Sequence, residues 1–474
     1  MRANPLLLLA LLALLTACGP GAASLAPTAT RTPAATPVSS TPGAARAAAT
    51  PATPGRVAAT PPDTSPDAAA ALVVQAVGLL LDHYVDPLQS AALYATAYGG
   101  MAQSLRAAGR AAPPAPAFTN APGRDAAAFR DAYLAAVRDA GPAVNQTVAA
   151  YAAIRAVVAQ IDECHTSFLD PAQYRQFTAH LAGNEQYGGI GVSIRAQARP
   201  AVVGQVFPDT PAARAGLRPG DAILAVDGGD VRDLPADQIS TLIRGEPGTA
   251  VTLTIRRPGE AAPRDVAIVR ARITVPVFAS RVIAAPDGRK VGYLQLYSFS
   301  SGAENNVRRA LEDFQQQGVT AWVLDLRDNG GGYIATLSAI AGLFMKDGPV
   351  GYTIQRGGKE EPIATSAKDL FPHQLPLAVL INAGTASAGE AFAAAAQDGG
   401  RSRLLGQTSA GCLAGAQTFP LADGSALQIT IEKVVSPHRR EINRVGVAPD
   451  VAIPPPAAGD ADPVLDAAVA WATR

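Results

Sequence analysis

The sequence predicts an α/β protein in three folded parts, the last of which carries a layered core. From Ile273 onward, apolar strand-like segments alternate with helical ones, and such alternation is typical of layered α/β cores. The alternating segments are VGYLQL, AENNVRRALEDFQQQ, AWVLDL, IATLSAIAGLF, LAVLI, GEAFAAAAQ and ALQITIEKVV. The two earlier parts have other patterns, the first helical and the second rich in strands. A chain of 474 residues is long enough for two or three domains with their own cores.

Helical periodicity dominates residues 68–186. Apolar residues recur at three- and four-residue spacing in AAALVVQAVGLLLDHYV, which begins at Ala69. Two further helical segments, AAAFRDAYLAAVRDA and VAAYAAIRAVVAQI, follow a proline-rich loop at Ala111–Pro122. The sequence therefore predicts a helical N-terminal region whose last long helix ends near Asp162.

Residues 187–272 change to short strands separated by glycine turns. Ala212–Gly216 predicts a short helix, and the apolar segment AILAV after it predicts a strand. Asp227–Gly228 is a two-residue hairpin signal. These features together predict a small β-rich domain between the helical region and the α/β core.

The first 67 residues predict a leader and a tether. Arg2 precedes the apolar run PLLLLALLALL, which is short for a membrane span and typical of a secretory signal peptide. Leu15 to Gly19 resemble a bacterial lipobox, which implies a lipoprotein signal peptide over 1–18 and lipidation of Cys18. The alternative is an ordinary signal peptide with an incidental cysteine. Residues 19–67, rich in Ala, Pro, Thr and Ser, predict a disordered linker between the membrane anchor and an extracytoplasmic folded part.

The overall charge and the spacing of metal-binding residue types limit the classes of partner. Thirty-nine basic residues balance 39 acidic ones, so the composition favours neither a nucleic-acid partner nor a polybasic membrane surface. The five histidines and the cysteines show no spacing typical of metal ligands. We expect no metal and no organic cofactor.

The segment from Val379 to Gly411 contains the most informative turn of the chain. A buried strand breaks at Asn382–Thr385, and Ser387 stands where an alanine-rich helix begins. A serine at such a turn exposes its hydroxyl, and the free N–H groups of the helix N-terminus are suited to an oxyanion. A serine that only caps the helix is the alternative.

Several ordered blocks resemble the carboxyl-terminal processing peptidases, also called tail-specific proteases. The blocks are DECHTSFL, LQLYSFS, LDLRDNGGG, NAGTASAGE, AAQDGGR, LLGQTSAG, LADGS and GVAPD. The resemblance extends from about Leu72 to the C-terminus. It implies a ClpP/crotonase-like serine peptidase core over 273–474 and a PDZ domain inserted over 187–272.

The resemblance also implies roles for particular residues. Ser387 is the expected nucleophile, and the expected oxyanion donors are the N–H of Ala388 and that of Gly331 or Gly332. In the PDZ domain, the loop of Gly188, Gly189, Ile190 and Gly191 is expected to bind the terminal carboxylate of a peptide that adds to the adjacent strand edge. A PDZ domain that only packs against the core is the alternative.

The general base departs from the family pattern. The catalytic lysine of the family falls on Cys412, and the five lysines of the chain match no catalytic block. His165 is the other candidate, because its position resembles that of the histidine base in tricorn-type proteases. That branch has a downstream acidic residue where Asn443 stands, with Glu441 nearby. His165 as a structural residue of its turn is the alternative.

Glu390 and two cysteines complete the candidate site. Glu390 follows Ser387 by one helical turn and is expected either to orient the site or to cap the helix. Cys164 and Cys412 both map beside the site, so we hypothesise that they form a disulfide in an oxidising compartment. Two small buried apolar residues are the alternative.

The sequence as a whole predicts a membrane-anchored, extracytoplasmic bacterial endopeptidase of the serine type. Its PDZ domain captures a protein's C-terminal tail and Ser387 cleaves it, with His165 as the candidate base. The alternative is a catalytically inactive peptidase fold that binds tails as an adaptor or scaffold, and the missing lysine supports it.

Overall fold

The computed structural model describes residues 65–141, 144–195, 200–346, 348–365, 371, 375–454 and 462–474. The predicted signal peptide, Cys18 and nearly all of the predicted linker lie outside the described residues. No helix among the residues described is both long enough and apolar enough to cross a membrane.

The described residues form helices and strands in the order that follows. The helices are α1 (Pro66–His83), α2 (Ser90–Ala107), α3 (Pro122–Ala140), α4 (Gln146–Ile161), α5 (Pro171–Leu181), α6 (Pro211–Arg214), α7 (Ala236–Ile243), α8 (Ala303–Gln316), α9 (Ile334–Phe344), α10 (Ala388–Asp398) and α11 (Pro463–Ala472). The strands are β1 (Ser167–Leu169), β2 (Gln186–Gly189), β3 (Val192–Arg195), β4 (Val202–Val206), β5 (Ala222–Val226), β6 (Gly229–Asp230), β7 (Ala250–Arg256), β8 (Arg264–Val269), β9 (Ala271–Thr274), β10 (Phe278–Ala284), β11 (Lys290–Leu296), β12 (Ala321–Asp325), β13 (Pro349–Gln355), β14 (Glu360–Ala364), β15 (Leu377–Ile381), β16 (Arg403–Gly406), β17 (Ala414–Pro420), β18 (Ala426–Val435) and β19 (Val451–Ala452).

Four helices, α1 to α4, form the N-terminal region around one apolar core. The sequence pattern missed α2, whose interior contains Gly99 and Gly100, because glycine disfavours helices. The structure explains why residue 100 is a glycine. A Cβ on Gly100 would lie 2.6 Å from the carbonyl oxygen of Ala152, so the glycine permits α2 to pack closely against α4.

The β-rich domain has its own sheet and its own core. The strand order is β3-β4-β5-β7-β8, with β6 paired to β5. The predicted hairpin at Asp227–Gly228 is present: both residues have positive φ, and Val226 pairs with Gly229 across the turn. The predicted strand AILAV is β5, while the predicted short helix begins one residue earlier than expected, at Pro211.

A six-stranded sheet forms the centre of the α/β core, in the order β10-β11-β12-β15-β16-β19. Strands β11, β12, β15, β16 and β19 run parallel, and β10 is antiparallel at the edge. Alternate residues face opposite sides, so that Val379 packs towards α8, α9 and α10 while Leu380 packs towards α11. The predicted layered α/β core is therefore confirmed.

A second sheet joins the helical region to the core and brings distant segments together. Its order is β1-β18-β13-β14, with β17 also paired to β18. Phe168 of β1 pairs with Leu427 of β18, and both side chains belong to the core of the helical region. This pairing anchors the DECHTSFL segment beside the loop that precedes β17.

Candidate active site

Ser387 lies at the turn between β15 and α10, as the sequence predicts. The turn is held from within: the Asn382 N–H donates to Thr385 Oγ1 (3.0 Å), and that hydroxyl donates to the carbonyl oxygen of Leu326 (2.8 Å). Ser387 itself has φ +53° and ψ −121°, a conformation that non-glycine residues seldom adopt. Such strained positions concentrate at functional sites, where the surrounding contacts maintain them.

The glycine loop after β12 packs directly against Ser387. A Cβ on Gly331 would lie 2.6 Å from Ser387 Cβ and 3.0 Å from both Ser387 Oγ and the Ala388 nitrogen. Only glycine permits this approach, and Gly331 also has φ +102°. The Gly331 N–H donates to Asn329 Oδ1 at 2.9 Å, so the N–H of Gly332 is the better candidate for a second oxyanion donor.

Glu390 ties the serine turn to the loop that leads into β17. Its carboxylate is fully buried and accepts four hydrogen bonds, from the N–H groups of Ser387 (3.1 Å), Gly411 (2.7 Å) and Cys412 (2.9 Å) and from the Ser409 hydroxyl (2.5 Å). Burial raises the pKa of Glu390 above its ordinary value, although the four hydrogen bonds oppose the rise. Glu390 therefore holds the serine turn and the loop before β17 in one hydrogen-bonded arrangement.

Cys164 and Cys412 form a disulfide, which confirms the hypothesised pairing. Their Cα atoms are 6.0 Å apart although 248 positions separate them in the sequence. The Cys412 carbonyl oxygen also accepts the Ser387 N–H at 2.8 Å. Cys412 thus contacts the serine turn through its backbone and the His165 turn through its side chain.

His165 packs against this disulfide and is only 12% exposed at its side chain. Its Nδ1 lies 3.4 Å from Cys164 Sγ and 3.5 Å from Cys412 Sγ, and Nε2 lies 3.9 Å from Cys412 Sγ. The His165 imidazole is therefore in contact with both sulfurs of the disulfide.

Glu163 is the carboxylate beside His165. Its Oε1 lies 3.4 Å from His165 Nδ1, and its Oε2 accepts the His165 N–H (3.0 Å), the Thr166 hydroxyl (3.1 Å) and the Thr430 hydroxyl. Burial alone raises the pKa of Glu163. The hydrogen bonds from the His165 ring, Thr430 and the His165 N–H, with the charge of His165, outweigh burial and lower this pKa to about 2.

The family resemblance indicates a different acidic partner for His165, at or near Asn443. The side-chain Oδ1 of Asn443 accepts the Leu413 N–H at 3.3 Å. Glu441 is exposed, and it forms an isolated β-bridge with Val435. Glu163 stands two residues before His165 in DECHTSFL, so this segment itself contains the acidic partner. The family resemblance points instead to an acidic residue downstream, and the short spacing of Glu163 and His165 is the signal that identifies the nearer partner.

Lys433 lies on β18, which pairs with the strand that follows the Cys412 loop. It pairs with Ala414 across the β17–β18 ladder. Its ammonium group is half exposed and forms an ion pair with Asp86 at 2.9 Å. A base of the family's kind has to be neutral and buried, so Lys433 does not fit that role.

A groove runs between the edge strand β3 and helix α7 of the β-rich domain. Its lining residues are Tyr187, Ile190, Gly191, Val192, Ile194, Ser240, Ile243 and Arg244. The expected carboxylate loop is only partly a loop: Gly188 and Gly189 lie in β2, paired with β9, and Ile190 and Gly191 follow the strand and line the groove. The edge strand β3 presents backbone donors and acceptors beside the groove, and four of the lining side chains are aliphatic: Ile190, Val192, Ile194 and Ile243.

The β-rich domain also contacts the strand that leads to the glycine loop. The Gln205 side-chain amide donates to the carbonyl oxygen of Arg327 at 2.9 Å, and the rings of Phe207 and Tyr297 pack edge to face. Arg327 precedes Gly331 by four residues, and its guanidinium binds the carboxylates of Asp325 and Asp462. These contacts connect the β-rich domain to the segment that precedes the glycine loop.

Comparison with known proteins identifies two domain families in the chain. The family model "Peptidase family S41" matches residues 290–453, and the model "PDZ domain" matches residues 202–257. A carboxyl-terminal-processing protease of Synechocystis sp. is 32% identical over 306 residues, which cover 65% of this chain and 71% of that protein. The protein of the same name from Picosynechococcus sp. is 34% identical over 308 residues, with coverages of 64% and 73%. A solved structure titled photosystem II D1 C-terminal processing protease matches with a TM-score of 0.55 at 25% identity, covering 81% of this chain and 92% of the other.

Proposed function

We propose that this chain, which belongs to the carboxyl-terminal-processing peptidase family, is an extracytoplasmic serine endopeptidase that cleaves proteins near their C-terminus. The observation that carries the proposal is the turn at Ser387, held in a strained conformation with Gly331 packed against its hydroxyl-bearing carbon. Ser387 is the nucleophile. The N–H groups of Ala388 and Gly332 stabilise the oxyanion that forms on the scissile carbonyl.

His165 takes the place of the missing lysine as general base. One imidazole nitrogen, Nδ1, faces Glu163 at 3.4 Å, which leaves Nε2 to accept the serine proton. Glu163 keeps its negative charge at neutral pH because its pKa lies near 2, so it stabilises the imidazolium that forms during proton transfer. The disulfide holds this turn to the Cys412 loop, and the Cys412 backbone holds Ser387. Glu163 and Glu390 are positioning residues in this scheme.

The substrate tail binds the groove of the PDZ domain. An extended peptide adds to the edge of β3, its side chains contact the aliphatic residues that line the groove beside α7, and its carboxylate meets the backbone at Ile190–Gly191. The contact from Gln205 to Arg327 offers a path by which tail binding affects the glycine loop.

The protein acts outside the cytoplasm, anchored by a lipid on Cys18. The leader pattern supports this location, and so does the Cys164–Cys412 disulfide, because disulfides persist in oxidising compartments. The linker before α1 gives the folded part its distance from the membrane.

A second candidate function is a catalytically inactive adaptor that binds protein tails. The specific observation in its favour is Cys412 at the position of the family's lysine, with its sulfur committed to a disulfide. Under this alternative the groove binds tails and Ser387 has no base.

Labelling with a fluorophosphonate probe separates the two candidates. We expect the oxidised full-length chain to be labelled, Ser387→Ala to lose the label, and Ser301→Ala, at an exposed serine before α8, to keep it. Labelling that persists in Cys412→Ser supports a serine enzyme whose base lies elsewhere than residue 412. Absence of labelling under both oxidising and reducing conditions contradicts the enzyme and supports the adaptor.

A further inference from the structure

Three side chains that commonly bind metals meet beside the serine turn. They are Cys164, His165 and Cys412, and their ligand atoms all lie within 4.8 Å of one another. Their spacing along the chain is not typical of metal ligands, because Cys412 comes from a distant loop that the second sheet places beside the DECHTSFL turn. Two sulfurs and an imidazole form a donor set that prefers thiophilic ions such as Zn²⁺.

We propose that reduction of the Cys164–Cys412 disulfide creates a site for one Zn²⁺ ion, coordinated by both thiolates and His165 Nδ1. A dithiol reductant exchanges with the disulfide: its two thiols become a disulfide, and Cys164 and Cys412 become thiols. Zn²⁺ then displaces one proton from each thiol, and the two thiolates bind the ion together with the neutral imidazole. No further oxidant or reductant is required.

The distances around His165 suit tetrahedral coordination. Bond lengths of about 2.3 Å for Zn–S and about 2.0 Å for Zn–N place sulfur and nitrogen ligands about 3.5 Å apart. His165 Nδ1 lies 3.4 Å from Cys164 Sγ and 3.5 Å from Cys412 Sγ. Once the sulfur–sulfur bond opens, only the two sulfurs have to separate. The fourth position is then open to water or to Glu163 Oε1, which lies 3.6 Å from Cys164 Sγ.

Hydrogen bonds hold both halves of the site independently of the disulfide. Glu163 fixes the turn of His165 through the N–H of that residue and through the hydroxyl of Thr430. Glu390 fixes the other half by accepting the Cys412 N–H at 2.9 Å. The ligands are therefore preorganised in the dithiol form, and preorganisation reduces the entropic cost of binding the ion. Cys164 is exposed, so reductant and metal reach the site from solvent.

Occupancy of this site would switch off the peptidase, a consequence that rests on the proposed function. A zinc ion on His165 removes the imidazole from its role as base and places a cation beside Ser387. The oxidised protein would be the active form and the reduced, metal-loaded protein the inactive form.

The test measures metal binding and does not require activity. The full-length chain is reduced with a dithiol under anaerobic conditions, freed of reductant and titrated with Co²⁺, whose thiolate complexes give a charge-transfer absorption band. We expect one Co²⁺ per reduced chain, a band displaced by Zn²⁺, and no band in the oxidised chain.

Variants locate the ion and keep the result decisive. We expect Cys164→Ser, Cys412→Ser and His165→Ala each to weaken Co²⁺ binding by at least about tenfold, whereas Cys18→Ser and Ser387→Ala bind as the parent does. A reduced chain that gives no band, or a band unaffected by Cys164→Ser, overturns the proposal. Circular dichroism is recorded on each reduced sample, and loss of the fold on reduction also overturns it. A chain that binds Co²⁺ but is not labelled by the fluorophosphonate probe contradicts the proposed peptidase activity and not the proposed metal site.

Discussion

The two halves of the candidate site contrast sharply in how they are built. The serine half is one contiguous segment, in which β15, the turn at Ser387 and α10 follow each other along the chain. The other half contains a disulfide between Cys164 and Cys412, which are 248 positions apart, and His165 lies against it. The serine half therefore depends on local sequence, while the other half depends on contacts between distant segments.

This contrast suggests which parts of such a site are replaceable. An oxyanion hole depends on backbone geometry, so Gly331 and the Ser387 turn have few acceptable substitutes. A general base has to supply only a titratable group of suitable pKa within reach of the serine, so its identity is less constrained than the backbone geometry of the turn.

The largest effect should follow removal of the proposed base. We expect His165→Ala to lower kcat by about 10²–10⁴-fold, because proton transfer from Ser387 loses its acceptor. Peptidase turnover of a tail-bearing protein provides the measurement. His180→Ala is the matched control, since His180 also contacts a glutamate, Glu185 at 2.9 Å, but lies outside the site. Near-normal turnover in His165→Ala would show that the base half of the site lies elsewhere.

A smaller loss of kcat should follow a substitution in the serine half of the site. We expect Gly331→Ala to lower kcat by about 10²–10³-fold, because its Cβ would lie 2.6 Å from Ser387 Cβ and displace the turn beside the Ala388 N–H. Gly330→Ala is the neighbouring control, since a Cβ there meets no atom within 4 Å among the described residues. Equal activity of the two variants would contradict the proposed contact between the glycine loop and the nucleophile.

The smallest effect concerns stability rather than turnover. The pKa of Glu163 falls from 4.5 to about 2 in the folded state, so its stabilising contribution is fully present above about pH 4.5. The contribution disappears as the pH falls towards 2, where the carboxyl is protonated in both states. We expect Glu163→Gln to lower the free energy of unfolding by about 3 kcal/mol at pH 7 and by progressively less below pH 4.5. Urea unfolding over this pH range measures the difference, and a difference independent of pH would refute the assignment.

Local sequence patterns predicted most elements of the core. The segments LAVLI and IATLSAIAGLF match β15 and α9 at both ends. A run of apolar residues bounded by turn residues indicates a buried element and where it starts and stops. The same patterns missed α2, where Gly99 and Gly100 lower the helix propensity. Close packing of Gly100 against Ala152 explains why a glycine is accepted there.

The sequence by itself determined the family, the order of the domains and the position of Ser387, since these depend on contiguous residues and their local turn and burial patterns. Only the tertiary structure selected Glu163 as the partner of His165 and showed that the His165 imidazole lies against both sulfurs of the predicted Cys164–Cys412 pair. The reason is that β1 pairs with β18, and this pairing between distant strands sets the register of segments that no local pattern relates.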